Sequence, residues 1–128
     1  MNAHPHQQLY DENNIFAQIL KGIIKPKVVY EDEHVISFYD INPKTKIHVL
    51  VIPRGKYVNS FDFHKHGSKE EIAGYYRGLQ KTIETLKITD EQGYRLISNA
   101  GASGGQQVFH FHTHILSGGC LNDMYVTQ

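Results

Sequence analysis

The sequence predicts an α+β fold: an antiparallel sheet of about five strands that carries one long and one short helix. Three stretches predict it. Ile72, Tyr75, Tyr76, Leu79, Ile83 and Leu86 recur on one face at helical spacing, which marks a long amphipathic helix. Ile47 to Pro53 reads Ile-His-Val-Leu-Val-Ile-Pro, a continuous apolar run that fits a central strand buried on both faces. From Val108 to Leu116, histidines alternate with Phe, Thr and Ile, and period two is the signature of a strand. At 128 residues the chain is long enough to bury one real core.

In chain order, Met1 to Asn14 reads as a mobile tail ahead of a domain spanning residues 15–128, with His4 and His6 as solvated residues. Asp11 or one of the asparagines caps a short helix from Ile15, whose Phe16, Ile19 and Leu20 pack inward and which Gly22 ends. Lys27–Glu31 and His34–Tyr39 are two strands joined by the polar turn Glu31-Asp32-Glu33, with His34 an exposed turn residue. Asp40-Ile41-Asn42-Pro43 is by local sequence an Asx-type turn. Arg54 to Lys69 reads as a polar loop in which His64 and His66 are solvated. Ser68, with Glu71 three residues on, forms a capping box at the start of the long helix, which runs to Lys87, about 30 Å. Asp90 to Gly93 turns the chain into a strand over Tyr94–Ser98, and that strand delivers Asn99 to a glycine-rich loop, Gly101–Gly105.

The composition narrows the classes of function. Formal net charge is zero, with 40% apolar and 20% charged residues, so nothing favours nucleic acid or an acidic membrane as a partner. Cys120 is the only cysteine, which excludes an intrachain disulfide. Neither a signal-peptide core nor an apolar run of membrane-span length is present, and the expected compartment is the cytoplasm.

His110, His112 and His114 share one face of their strand, about 6.7 Å apart along it. Three imidazoles are costly to bury without partners, and a core strand would carry Val, Ile or Leu there. They follow a loop whose backbone N–H groups can approach an anion closely. His110-Phe111-His112-Thr113-His114-Ile115-Leu116, preceded by Gly104-Gly105-Gln106 and Val108, resembles the histidine triad motif, His-φ-His-φ-His-φ-φ. Phe38-Tyr39-Asp40-Ile41-Asn42-Pro43 and His48 within its apolar strand extend the resemblance over roughly residues 15–117. The pattern is most similar to the Hint-type branch of the histidine triad (HIT) superfamily, which comprises nucleotide-binding proteins and nucleoside phosphoramidases.

That resemblance implies a HIT-like fold, a homodimer, and hydrolysis at the α-phosphate of a purine nucleoside phosphoramidate or a related AMP or GMP conjugate. It implies that His112 is the nucleophile and forms a nucleotidyl-histidine, that His114 donates to a phosphate oxygen or to the leaving amine, and that His110 and His48 hold the network behind them. Asp40 would accept from the ribose hydroxyls, with Phe16, Phe38 and Ile41 around the base. From Gly93 to the end the only Lys or Arg is Arg95, so the phosphate would be held by Asn99, by amides near Gly105, Gln106 and Gln107, and by the imidazoles rather than by a cationic clamp. No cofactor or metal is expected. Two residues depart from the family pattern. Thr113 occupies an apolar position, and Gln107 stands where a serine often serves the leaving group.

Three other readings carry weight. One is a dinucleotide polyphosphate hydrolase of the same superfamily. Another is a transition-metal site in which the histidine face and His48 supply nitrogens at about 2.0–2.1 Å. The third is a nucleotide-binding or scaffold module with little turnover.

Overall fold

The computed structural model describes residues 9–119. In chain order the elements are α1 (Ile15–Leu20), β1 (Val28–Glu31), β2 (Val35–Tyr39), β3 (Ile47–Pro53), α2 (Ser60–His66), α3 (Lys69–Thr85), β4 (Arg95–Ile97) and β5 (Thr113–Ser117). The strands form one five-stranded sheet in the order β1-β2-β3-β5-β4, and every neighbouring pair is antiparallel. This is the α+β architecture that the sequence predicts, and the apolar run Ile47–Pro53 is its central strand.

Strand alternation divides the interior into two cores. Val35, Val49, Val51 and Ile115 point to the face covered by α3 and meet Tyr75, Leu79 and Ile83. Ile36, Phe38, Leu50 and Ile52 point to the other face and meet Phe16 and Ile19 of α1. The long helix sits close to the sheet because glycines face it. A Cβ on Gly78 would stand 2.4 Å from a Val35 methyl carbon, and one on Gly74 would stand 2.2 Å from the His34 ring. His34 is therefore a half-buried packing residue rather than an exposed turn residue.

Local signals explain the helix starts. The Asn14 side chain accepts from Ala17 N–H at α1. At α3, Ser68 accepts from Glu71 N–H while the Glu71 carboxylate accepts from Ser68 N–H, the reciprocal capping box. One element goes beyond the sequence reading: Ser60–His66, expected as loop, is the helix α2. Asn59 caps it by accepting from Asp62 N–H, Phe63 is its buried anchor, and Gly67 ends it. His64 and His66 lie on this helix, bonded to Tyr76 Oη at 2.6 Å and Asp62 Oδ1 at 2.8 Å.

Of the stretch expected as a mobile tail, residues 9–14 are described, and they contact the domain. Tyr10 is hydrogen-bonded to His110 at 2.6 Å, and Glu12 pairs with Lys56 at 2.9 Å. His4, His6, Cys120 and the rest of the C-terminal tail lie outside the described residues. Among the described residues, no helix is long and apolar enough to cross a membrane.

Thr113, the polar residue in an apolar position, is buried on the α3 face. Its hydroxyl lies 2.7 Å from Tyr75 Oη, which in turn donates to the Val51 carbonyl at 2.9 Å. The departure is thus matched by a tyrosine on the facing helix, and a buried hydroxyl with a partner carries little penalty.

Candidate active site

Sheet parity brings the candidate residues together. On β3, His48 alternates with Val49 and so shares the α1-side face with Leu50. Leu50 pairs with His114 across β5 and with Phe38 across β2. Residues paired across a ladder share a face, so Phe38, His48 and His114 converge there. The ladder of β5 begins only at Thr113, so His110, at a bend, and His112 lie ahead of it rather than in the strand that the sequence predicts. They still reach the same face. The rings of His112 and His114 are 5.1 Å apart, and Phe16 meets His112 edge-on at 5.0 Å and His110 at 6.3 Å.

The hydrogen bonds assign the proton on each ring. His48 Nδ1 accepts from Lys44 N–H at 3.0 Å, so its proton is on Nε2, and that group donates to His114 Nδ1 at 2.9 Å. His114 then carries its own proton on Nε2. At His112 the Nδ1–H donates to the His110 carbonyl at 2.7 Å, which leaves a lone pair on Nε2. At His110 the Nε2–H donates to the Pro53 carbonyl at 2.9 Å, and Nδ1 accepts from Tyr10. The result is a pair of adjacent, complementary nitrogens: an acceptor on His112 and a donor on His114. Both Nε2 atoms are buried and without a partner among the described residues.

Burial also sets the charge state. All four imidazoles are at most 1% exposed. Desolvation disfavours the imidazolium and lowers each pKa below the ordinary histidine value. His110 is pushed down to about 4 by burial, which outweighs its bond to Pro53. His114 is pushed down to about 2 by burial and by its histidine neighbours. His112 falls despite the opposing pull of the His110 carbonyl and Asp40. At neutral pH the lone pair on His112 Nε2 is therefore present.

A cavity of about 420 Å³ adjoins this face, lined mainly by apolar groups including Phe16, Ile19, Phe38, Leu50 and Val108, with Asp40 and Ile41 at one side. Phe16, Phe38, Asp40 and Ile41, assigned to a nucleotide site from the sequence, all line it. Ile19, Leu50 and Val108 join them without having been singled out. The triad histidines do not line this cavity and connect to it through neighbours. Phe16 lies against His112, and Asp40 Oδ2 is 3.4 Å from His48 Nε2. Asp40 is buried, and its Oδ1 accepts from Asn42 N–H at 2.8 Å, the Asx turn expected there.

The glycine-rich loop expected to carry the phosphate-binding amides is internally bonded. Gly105 N–H donates to Ala102 O, and Gln106 N–H to Gly101 O, each at 3.0 Å. The Gln106 side chain turns inward, donating to the Val58 and Val108 carbonyls and accepting from Gly101 N–H. Gly105 and Gln106 thus shape the loop, and their N–H groups are committed within it. Gln107 is exposed beside them. Asn99 donates to the Gly104 carbonyl at 2.8 Å, and its Oδ1 is buried with no partner among the described residues.

Ligating atoms of Asp40, His48 and His114 lie within 4.8 Å of one another, so these residues are the candidate metal ligands among those described. Two of the three atoms are already joined by the His48–His114 hydrogen bond. An ion between them would have to replace its proton.

The comparisons with known proteins agree with this geometry. The family model described as "HIT domain" matches residues 21–119. An uncharacterized 13.2 kDa HIT-like protein of Azospirillum brasilense is 44% identical over 115 residues, covering 90% of this chain and 93% of its own. A histidine triad protein from Clostridium difficile superposes with a TM-score of 0.78 at 32% identity, covering 91% of this chain and all of its own, 100%. A HIT family hydrolase from Clostridium thermocellum gives 0.75 at 36% identity, over 90% and 98% of the two chains. Matched across most of its length in both sequence and fold, and with its histidines on one sheet face, this chain belongs to the HIT family.

Proposed function

We propose that the chain is a hydrolase acting at the α-phosphate of a purine nucleoside phosphoramidate or related nucleotidyl conjugate. The observation that carries this reading is the pair of unpartnered buried nitrogens, a lone pair on His112 Nε2 beside an N–H on His114 Nε2. A phosphate meets both needs: its phosphorus accepts electrons and its oxygens accept a hydrogen bond. The hydrolase named among the structural neighbours is consistent with it.

The nucleoside occupies the apolar cavity, and the ribose hydroxyls donate to the Asp40 carboxylate at one side of it. His112 Nε2 attacks the phosphorus, and a P–N bond to His112 forms as the bond to the leaving amine breaks. The amine departs neutral, its nitrogen having taken a proton from solvent, while His114 Nε2–H donates a hydrogen bond to a phosphate oxygen. The His110 carbonyl, bonded to His112 Nδ1–H, stabilises the positive charge that develops on the ring. Water then cleaves the nucleotidyl-histidine, releases the nucleoside monophosphate and restores the His112 lone pair, and its surplus proton passes to solvent, balancing the one taken up by the amine. One hard displacement becomes two easier ones.

Trapping tests the reading. Incubation with an activated adenylate analogue should place one adenylyl group on His112, located by mass spectrometry. His112→Asn should bind nucleotide and form no adduct. Faster turnover of a diadenosine polyphosphate than of an adenosine phosphoramidate would overturn the choice of leaving group. Activity lost on chelation and restored by zinc would favour the Asp40, His48 and His114 cluster as a metal centre instead. A homodimer through α3 and the β4 edge, where Leu96 and Tyr94 are exposed, is the assembly we propose, and sedimentation would test it.

A further inference from the structure

We infer that Tyr10, ahead of the first helix and outside the span matched by the family model, is a positioning residue for the nucleophile, acting through His110. The inference rests on the proposed role of His112.

The acceptor that orients His112 is the backbone carbonyl of His110. That carbonyl belongs to a stretch with no strand ladder, because β5 begins at Thr113. Something other than sheet hydrogen bonds must hold it. Phe111 N–H donates to the Tyr57 carbonyl at 2.7 Å on one side. On the other, the His110 ring is gripped at both nitrogens: Nε2–H donates to the Pro53 carbonyl at the end of β3, and the Tyr10 hydroxyl donates to Nδ1 at 2.6 Å.

The two bonds are interdependent. A carbonyl can only accept, so the Pro53 bond requires the proton on Nε2, and a neutral ring then offers a bare lone pair at Nδ1. Tyr10 is the donor that satisfies it. Without that hydroxyl the buried ring must leave Nδ1 unpaired or give up Pro53, and in the second case the His110 backbone moves with it. Burial raises the Tyr10 phenol above its ordinary value, so it keeps the proton it donates. The segment that presents Tyr10 is fastened separately. Glu12 pairs with Lys56 at 2.9 Å, and Lys21 donates to the Glu12 carbonyl at 2.8 Å.

The test compares Tyr10→Phe with Glu12→Gln in the full-length protein. Tyr10→Phe removes only the hydroxyl, whereas Glu12→Gln weakens the fastening and keeps the hydroxyl. Ring ¹⁵N spectra of the free protein should show the His110 Nδ1 signal shifting towards that of an unbonded imine nitrogen in Tyr10→Phe, with a coupled shift at His112. Turnover of adenosine phosphoramidate should fall about tenfold in kcat, the scale of a small misplacement of a reacting group. KM should stay within about twofold, since Tyr10 does not line the nucleotide cavity. Glu12→Gln should change neither signals nor kcat. Unchanged His110 and His112 signals, or unchanged kcat, in Tyr10→Phe would overturn the inference. So would an equal loss in Glu12→Gln, which would make the segment a general brace. If the wild-type protein does not turn over the amidate, the proposed function fails, and the His112 signals in Tyr10→Phe decide the inference by themselves.

Discussion

The Nε2 of His48 stands 2.9 Å from the Nδ1 of His114, and this one bond decides which nitrogen of His114 faces the reaction. Lys44 N–H occupies His48 Nδ1, so the proton on His48 Nε2 has to point at His114. Replacing His48 with Leu would release that control. His114 could then place its proton on either nitrogen, and the donor beside His112 would be lost for part of the time. Because the donor is lost for only part of the time, the expected loss in kcat is roughly tenfold, short of the 10²–10³ that follows outright removal of a preorganised donor. Stability should fall by about 1–3 kcal/mol because a buried acceptor is left unmet. Steady-state kinetics and urea unfolding read the two effects. Unchanged kcat in a folded His48→Leu protein would detach His48 from the chemistry.

The same burial makes the fold sensitive to acid. Each of the four histidines has a folded-state pKa below its unfolded value of about 6.5. Below that value the unfolded chain takes up protons that the folded chain refuses, so stability falls as pH falls. The loss begins near pH 6.5 and continues, for His110, down to its folded value of about 4. Above pH 6.5 these groups contribute a constant amount. Unfolding free energy should therefore drop by a few kcal/mol, in order of magnitude, between pH 7 and pH 5. Ordinary carboxylates titrate mostly below that window. Equal unfolding midpoints at pH 7 and pH 5 would contradict neutral, buried rings.

Helix α3 offers a test of packing that opposes helix propensity. Alanine at Gly78 favours the helix by about 1 kcal/mol. In this chain its Cβ would fall 2.4 Å from Val35, which belongs to the core beneath. Overpacking of this kind costs about 1–3 kcal/mol, so Gly78→Ala should be net destabilising. Val35→Ala in the same background should recover part of the loss. Thermal unfolding of the two single variants and the double variant measures it, and a stabilised Gly78→Ala protein would show that the helix can lift away freely.

Most of the fold was legible because its signals are local and redundant. The capping pair Ser68 and Glu71, the apolar run of β3 and the period-two triad each name an element unaided. Helix α2 was not legible. It is seven residues long with one buried side chain, Phe63, too little to show a period among Lys, His and Gly. The common face of the three histidines was legible, and the bend at His110 and the exclusion of His110 and His112 from the ladder were not, since period two describes side-chain alternation and not hydrogen-bond partners. For the site, Phe16, Phe38, Asp40, Ile41 and the histidines could be named from the motif. The inward turn of Gln106 and the docking of Tyr10 could not, because each depends on a partner far along the chain, Val58 for one and His110 for the other.

Asp40 is the polar residue of the cavity best suited to read the sugar. Its carboxylate offers about four acceptor positions. Asn42 N–H takes one of them at 2.8 Å, and His48 Nε2 stands 3.4 Å from the other oxygen. Two carboxylate oxygens suit two adjacent hydroxyls. Asp40→Asn would replace one oxygen with an NH₂ group, which cannot accept. A hydrogen bond to a charged group is worth about 1.5–3 kcal/mol, so KM for a ribonucleoside substrate should rise tenfold or more in rough terms. A 2′-deoxy substrate tests the assignment because it lacks one donor from the start. Wild-type protein should disfavour the deoxy compound, and Asp40→Asn should treat the two sugars nearly alike. If the variant kept the full discrimination between ribose and deoxyribose, the carboxylate would not be the group that reads the sugar.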